Sequence, residues 1–190
     1  MTAAHSPIPT NSSDIACIDL VNSSYTDHLG GGECVERITE PRWQEWFLDR
    51  YALKPKPARP APLDELVVLR GDVRRILEKW ATHDRLGPRD ARALDLRVHD
   101  VPLRRRVAVT ETGLELREEP LRRDWDWVLA AVSASAVDLL ATGDRQRLKV
   151  CANPACSWMF YDQTVNRSRR YCSTTPCASL LRVRRFRQRD

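Results

Sequence analysis

The sequence predicts an α+β chain in two parts: a mainly α-helical N-terminal domain with a small β-hairpin, and a small cysteine-stapled C-terminal module ending in a basic helix. Three observations predict it. Apolar residues recur at three- and four-residue steps through most of the first 145 residues. One stretch, Arg106–Thr110 and Leu114–Arg117 around Glu111-Thr-Gly113, alternates with period two instead. Four of the six cysteines form two matched pairs near the C-terminus, Cys151/Cys156 and Cys172/Cys177, with fifteen residues between the pairs. The expected organisation is a disordered N-terminus over 1–13, an α-rich domain over 14–145 and the cysteine module over 146–190. A length of 190 residues with 42% hydrophobic content supports one ordinary core and one small one.

In chain order, Ile15–Val21 is an apolar run too short to assign by periodicity alone, and it is read as helix. Leu29-Gly-Gly-Gly-Glu33 is a flexible loop. Pro41 opens a helix in which Trp43, Trp46, Phe47 and Tyr51 form a core-facing stripe, since Pro suits a first helical position. Residues 54–62 hold four prolines and form an extended connector. A helix from Asp64 to His83 buries Leu66, Leu69, Val73, Ile76, Leu77 and Trp80. A short helix runs from Pro88 to Arg97, and the β-hairpin follows. Asp124 caps a last helix to Ala141, buried through Val128, Ala131, Val132, Ser135 and Leu139, and Gly143 ends it.

Paired thiolates on two short turns suit a tetrahedral zinc ion, and four of them leave no position for water or substrate. The spacing predicts one structural zinc held by Cys151, Cys156, Cys172 and Cys177 in a treble-clef-like or knuckle-type finger. A small hairpin between the pairs would bring them together, with Trp158, Phe160 and Tyr171 covering the metal. Asp162 is expected either to cap the polar turn or to orient an arginine.

The net charge of +5 is unevenly placed. Residues 151–190 carry eight arginines (Arg167, Arg169, Arg170, Arg182, Arg184, Arg185, Arg187 and Arg189) against Asp162 and Asp190, so the module is +6 and the rest of the chain −1. Read as a helix, the tail from Ser179 puts Leu180, Val183 and Phe186 within an arc of about 120° and Arg182, Arg185 and Arg189 within about 60° opposite. One face docks and the other suits a phosphate rail or a major groove. These eight arginines are therefore the candidate nucleic-acid contacts, with DNA the expected partner.

No stretch approaches about 20 uninterrupted apolar residues, so no membrane partner is expected. The N-terminus has no secretory pattern, and clustered cysteines then suit a reducing compartment, so the cytoplasm is expected. The four histidines are scattered singly, and no paired-carboxylate, phosphate-loop or nucleophile motif occurs, so no enzymatic activity is expected. Asp19 and Asn22 could line a small-molecule site or serve in capping and packing. The N-terminal domain would then sense an effector or form a homodimer.

The segment Cys-Ala-Asn-Pro-Ala-Cys-Ser-Trp-Met-Phe-Tyr-Asp, followed by Asn-Arg-Ser-Arg-Arg-Tyr-Cys-Ser, a further Cys and a basic tail, resembles the CGNR-type zinc finger. Cys17-Ile-Asp-Leu-Val-Asn-Ser23 resembles the signature that opens the accompanying ABATE domain. The resemblance implies a bacterial, often actinobacterial, stress-linked transcription regulator whose finger contacts DNA, and it carries the zinc ligands onto the same four cysteines. The naming motif Cys-Gly-Asn-Arg is Cys177-Ala-Ser-Leu180 here, which sets a structural or protein-interaction module beside the DNA reading; an RNA-binding module is a separate alternative.

Overall fold

The computed structural model describes residues 13–26, 32–99, 101–173 and 177. Five helices and three small antiparallel sheets lie among them. The expected disordered stretch 1–12, most of the loop 29–33 and the basic tail helix lie outside the described residues. Ser13, assigned by sequence to the disordered terminus, is buried with its N–H and hydroxyl donating to Asp19 Oδ1.

Helix α1 (Ala16–Val21) is buried along its whole length. Strands β1 (Ser24–Thr26) and β2 (Cys34–Glu36) form a short pair that the sequence reading did not predict, because three-residue strands carry no measurable alternation. Arg70 fastens β2 to the next long helix through both carboxylate oxygens of Glu36. Helix α2 (Pro41–Arg50) starts at its proline and buries Trp43 and Phe47, whose rings stack at 5.1 Å. The proline-rich connector leads to α3 (Leu63–Ala81), which buries Leu66, Leu69, Val73, Ile76, Leu77 and Trp80, the six residues of its predicted face. Each such side chain contributes about 1.5–3 kcal/mol by leaving water. Helix α4 (Pro88–Val98) follows, with Asp90 Oδ2 accepting from the Gly87 N–H at its start.

The predicted hairpin is longer than expected: β3 (Leu103–Thr110) pairs with β4 (Gly113–Pro120) over eight residues each. Helix α5 (Trp125–Thr142) is capped by Asp124, whose Oδ1 accepts from the Trp127 N–H. Its buried face is wider than its period suggests: Leu129, Ala130, Ser133 and Ala136 are buried, whereas the predicted Ala131 and Ser135 are only half-buried. The reason is that α5 is packed by α1 and α3 and also by α4. By length and composition α5 is the one described helix that could cross a membrane, yet its apolar residues Val128, Leu129, Val132 and Leu139 lie in the protein core. Gly143 ends α5, with φ −74° rather than the left-handed value the glycine suggests. It is needed for space, because a Cβ there would run into the Leu139 carbonyl oxygen.

Strands β5 (Leu148–Val150) and β6 (Met159–Tyr161) pair antiparallel on either side of the first cysteine pair. The expected hairpin between the two cysteine pairs is thus replaced by one that brackets the first pair. Leu148 and Met159 enter the core of the helical part, while Trp158 and Phe160 pack with the cysteines. The ribbon therefore joins both cores.

Candidate metal centre and nucleic-acid interface

The first cysteine pair occupies the turn of the β5–β6 ribbon. The Cys151 N–H donates to the Trp158 carbonyl at 2.9 Å, extending the ladder by one rung, and the Cys156 N–H donates to the Asn153 carbonyl at 2.8 Å. The Asn153 side chain accepts from the Ala155 N–H, as an Asx turn does, and its amide reaches Cys177 Sγ at 3.8 Å. From the returning segment, the Ala152 N–H donates to the Arg170 carbonyl, and the Cys172 N–H donates to Cys151 Sγ at 3.5 Å.

All four Sγ atoms lie within 4.8 Å of one another, and all four residues are buried. Cys156–Cys172 and Cys172–Cys177 are 3.8 and 3.5 Å apart. A disulfide needs about 2.05 Å. A tetrahedron with zinc–sulfur bonds of about 2.3 Å has edges of about 3.8 Å. The thiol electrostatics agree. Hydrogen bonds from Cys156 and Cys172 hold Cys151 down at about 2, while the bond to Cys151 pushes Cys156 up to about 12. Cys172 is raised by Cys151 and Cys156, and Cys177 is raised by burial. Four thiolates this close together require a cation among them, and the donor set is that of one structural zinc ion.

Around the cage, Trp158, Phe160 and Tyr171 pack as the sequence predicts, and Tyr25 of β1 joins them with its ring 5.5 Å from Trp158, edge to face. The contact to the helical part is polar as well as apolar. Asn22 donates from Nδ2 to the Met159 carbonyl at 2.8 Å and accepts from the Met159 N–H at 2.9 Å. In an antiparallel pair alternate residues point their backbone groups away from the partner strand. Met159 is such a residue, and the Asn22 amide supplies what a third strand would. Arg74 adds a bond to the Ser157 carbonyl at 3.0 Å. Asp19 accepts from Ser13 and, through Oδ2, from the Tyr51 hydroxyl at 2.5 Å. The candidate ligand residues Asp19 and Asn22 are thus both buried and engaged by the protein itself. Neither lines the cleft of about 900 Å³ among α3, α4 and α5 or the one of about 580 Å³ beside Tyr51 and Tyr161.

The structure separates the candidate arginines. Arg169 donates to the Tyr171 and Cys172 carbonyls and lies over the Phe160 ring at 4.8 Å, so it is part of the finger's interior bracing. Arg167, at φ +51°, pairs with Asp144 at 3.2 Å and with Gln146. Arg170 is exposed, and its side chain has no ion pair or hydrogen bond among the described residues. Arg182, Arg184, Arg185, Arg187 and Arg189 lie outside the described residues.

The turn carrying these arginines is built on Asp162. Its Oδ1 accepts from the Thr164 N–H and hydroxyl, and its Oδ2 from the Arg169 N–H and from Lys149 Nζ at 2.7 Å. Burial pushes this carboxyl up, but Lys149 and the turn donors outweigh it and hold the group below the usual carboxylate range. Asp162 caps the turn, and its cation is Lys149 rather than an arginine. Lys149 and Asn153 were not singled out by sequence. The Asn-Pro step of the first pair was the available signal for Asn153; a lone lysine gives none.

A family model described as "CGNR zinc finger" matches residues 147–190. The model of the ABATE family, described as "Putative stress-induced transcription regulator", matches residues 14–143, more than half of the chain. Comparison with curated proteins returns no match. The chain belongs to the ABATE family and carries a CGNR zinc finger over residues 147–190.

Proposed function

We propose that this protein is a non-enzymatic, zinc-dependent DNA-binding transcription regulator of the cytoplasm, contacting the duplex through its finger and the basic segment beyond it. The observation that carries the reading is the charge: +6 over the last forty residues against −1 over the rest. A polyanion would meet that end of the chain. Arg170 is the described arginine available for such contact, and Arg182, Arg185 and Arg189 supply the remainder. The family's description as a transcription regulator supports it. The cleft among α3, α4 and α5, lined by Ile76, Leu94, Val137 and Leu140 with Arg92 at its rim, is the place for a small apolar effector.

The test is binding of the zinc-loaded chain to a pool of random duplexes, with selection of the retained fragments. Affinity should fall steeply with salt, at about 0.9 log units per log unit of salt for each phosphate neutralised. It should vanish with a chelator. No affinity for any duplex at low salt would end the proposal.

A second reading is a structural or protein-interaction module. It is favoured by Ala178-Ser179-Leu180 in place of Gly-Asn-Arg and by the engagement of Arg167 and Arg169 within the chain. Unchanged DNA affinity after joint replacement of Arg182, Arg185 and Arg189 by Ala would favour it.

A further inference from the structure

The β3–β4 hairpin has two unlike faces. On one, Arg104 and Arg106 pair with Glu119, and Arg117 pairs with Glu115. Water and these ion pairs satisfy that face. The register puts Leu103, Val107, Val109, Leu114, Leu116 and Pro120 on the other. Nothing in the described chain covers them: none of the hairpin's residues is buried, and Val107, Val109, Leu114 and Leu116 are 67%, 84%, 76% and 59% exposed. Antiparallel sheets normally pack one face, and a two-stranded hairpin alone in water is marginal. Eight-residue strands with β-branched and leucine residues aligned on one side need a cover.

We infer that this face is the homodimer interface of the protein, each hairpin packing face to face on the hairpin of a second copy. Two observations select a second copy. The first is charge: the apolar face contains one ion pair, Arg105 with Glu118 at 3.1 Å, directly across the ladder. A two-fold axis parallel to the strands lays β3 of one copy over β4 of the other. Arg105 then meets the partner's Glu118 twice, and Val107 and Val109 meet Leu116 and Leu114. The face is complementary to itself, as an isologous interface must be. An axis across the strands would instead set Arg105 against valine. The second is area. Leu103 is 53% exposed and, with Val107, Val109, Leu114 and Leu116, forms one contiguous apolar face, and full cover of two such faces approaches the roughly 1,200 Å² at which specific interfaces begin.

The inference does not depend on DNA binding and is tested without it, by sedimentation of the zinc-loaded full chain. Twice the 21.8 kDa chain mass is expected at micromolar concentration. Val109→Asp with Leu114→Asp, at exposed positions, should keep the zinc content and helical signal and raise the dissociation constant at least tenfold. Arg105→Glu and Glu118→Arg should each weaken the dimer alone and restore it when mixed, since the heterodimer has both pairs matched. A wild-type monomer at 100 µM (roughly a hundredfold above a specific micromolar contact) would overturn the inference. So would a dimer indifferent to the Asp substitutions, or a mixture no tighter than its components.

Discussion

Replacing Asn22 by Ala should detach the finger from the helical part without touching the zinc ligands. Asn22 is 3% exposed, and Met159, whose N–H and carbonyl it satisfies at 2.9 and 2.8 Å, is fully buried. The substitution leaves two backbone groups in a dry core with no partner. Each stranded group costs about 1–3 kcal/mol, so the loss is about 2–6 kcal/mol, large against a typical total of about 5–15 kcal/mol. Asn22→Asp keeps the acceptor for the Met159 N–H but sets a buried carboxylate against the Met159 carbonyl, and should cost at least as much. Urea unfolding of the zinc-loaded protein, followed by far-ultraviolet circular dichroism and by tryptophan emission, measures the loss. Trp158 lies at the metal cage and Trp43 and Trp80 in the helical core, so uncoupling appears as two transitions where the wild type has one. A change under 0.5 kcal/mol with a single transition would refute the clamp.

Cys172→Ser should abolish stoichiometric zinc binding, read by metal analysis, and unfold the 148–172 region, since zinc contributes on the order of 10 kcal/mol to folding such a site. Asp90, held down at about 2 by the Gly87 N–H, Arg75 and Lys79, is ionised more readily folded than unfolded. Its contribution is therefore present above the unfolded value near 3.8 and lost as pH falls toward 2. Asp90→Asn should cost about 1–2 kcal/mol at pH 7 and progressively less below pH 4, measured by urea unfolding at each pH. Gly143→Ala should cost about 1–3 kcal/mol through the clash with the Leu139 carbonyl. That corresponds to a melting temperature lower by several degrees in a thermal scan.

Much of the fold was legible where the signal is local. The six buried positions of α3 follow from a 3.6-residue period that survives over five turns, and α2 begins at the proline that marks it. The four zinc ligands follow from spacing, because two thiols five apart on one turn can converge on one ion. The face of α5 was legible only in part, because period reports one partner surface and α5 has several. The hairpin bracketing the first cysteine pair rather than joining the two was not legible: β5 is three residues long, and its pairing is decided by the core that Leu148 and Met159 enter.

The amino-acid sequence alone determined the helical periods, the thiol pairs that hold zinc, and the concentration of arginine at one end. All are properties of residues close in the chain. Tertiary structure decided which polar groups are available. Arg167 and Arg169 read as equals of Arg170 along the chain. Folding pairs one with Asp144 and lays the other on Phe160 beneath the cage. Asn22 and Met159 are 137 residues apart in sequence and share two hydrogen bonds in space. Whether a polar side chain contacts solvent or a distant backbone depends on what packing brings beside it, and local pattern carries no record of that.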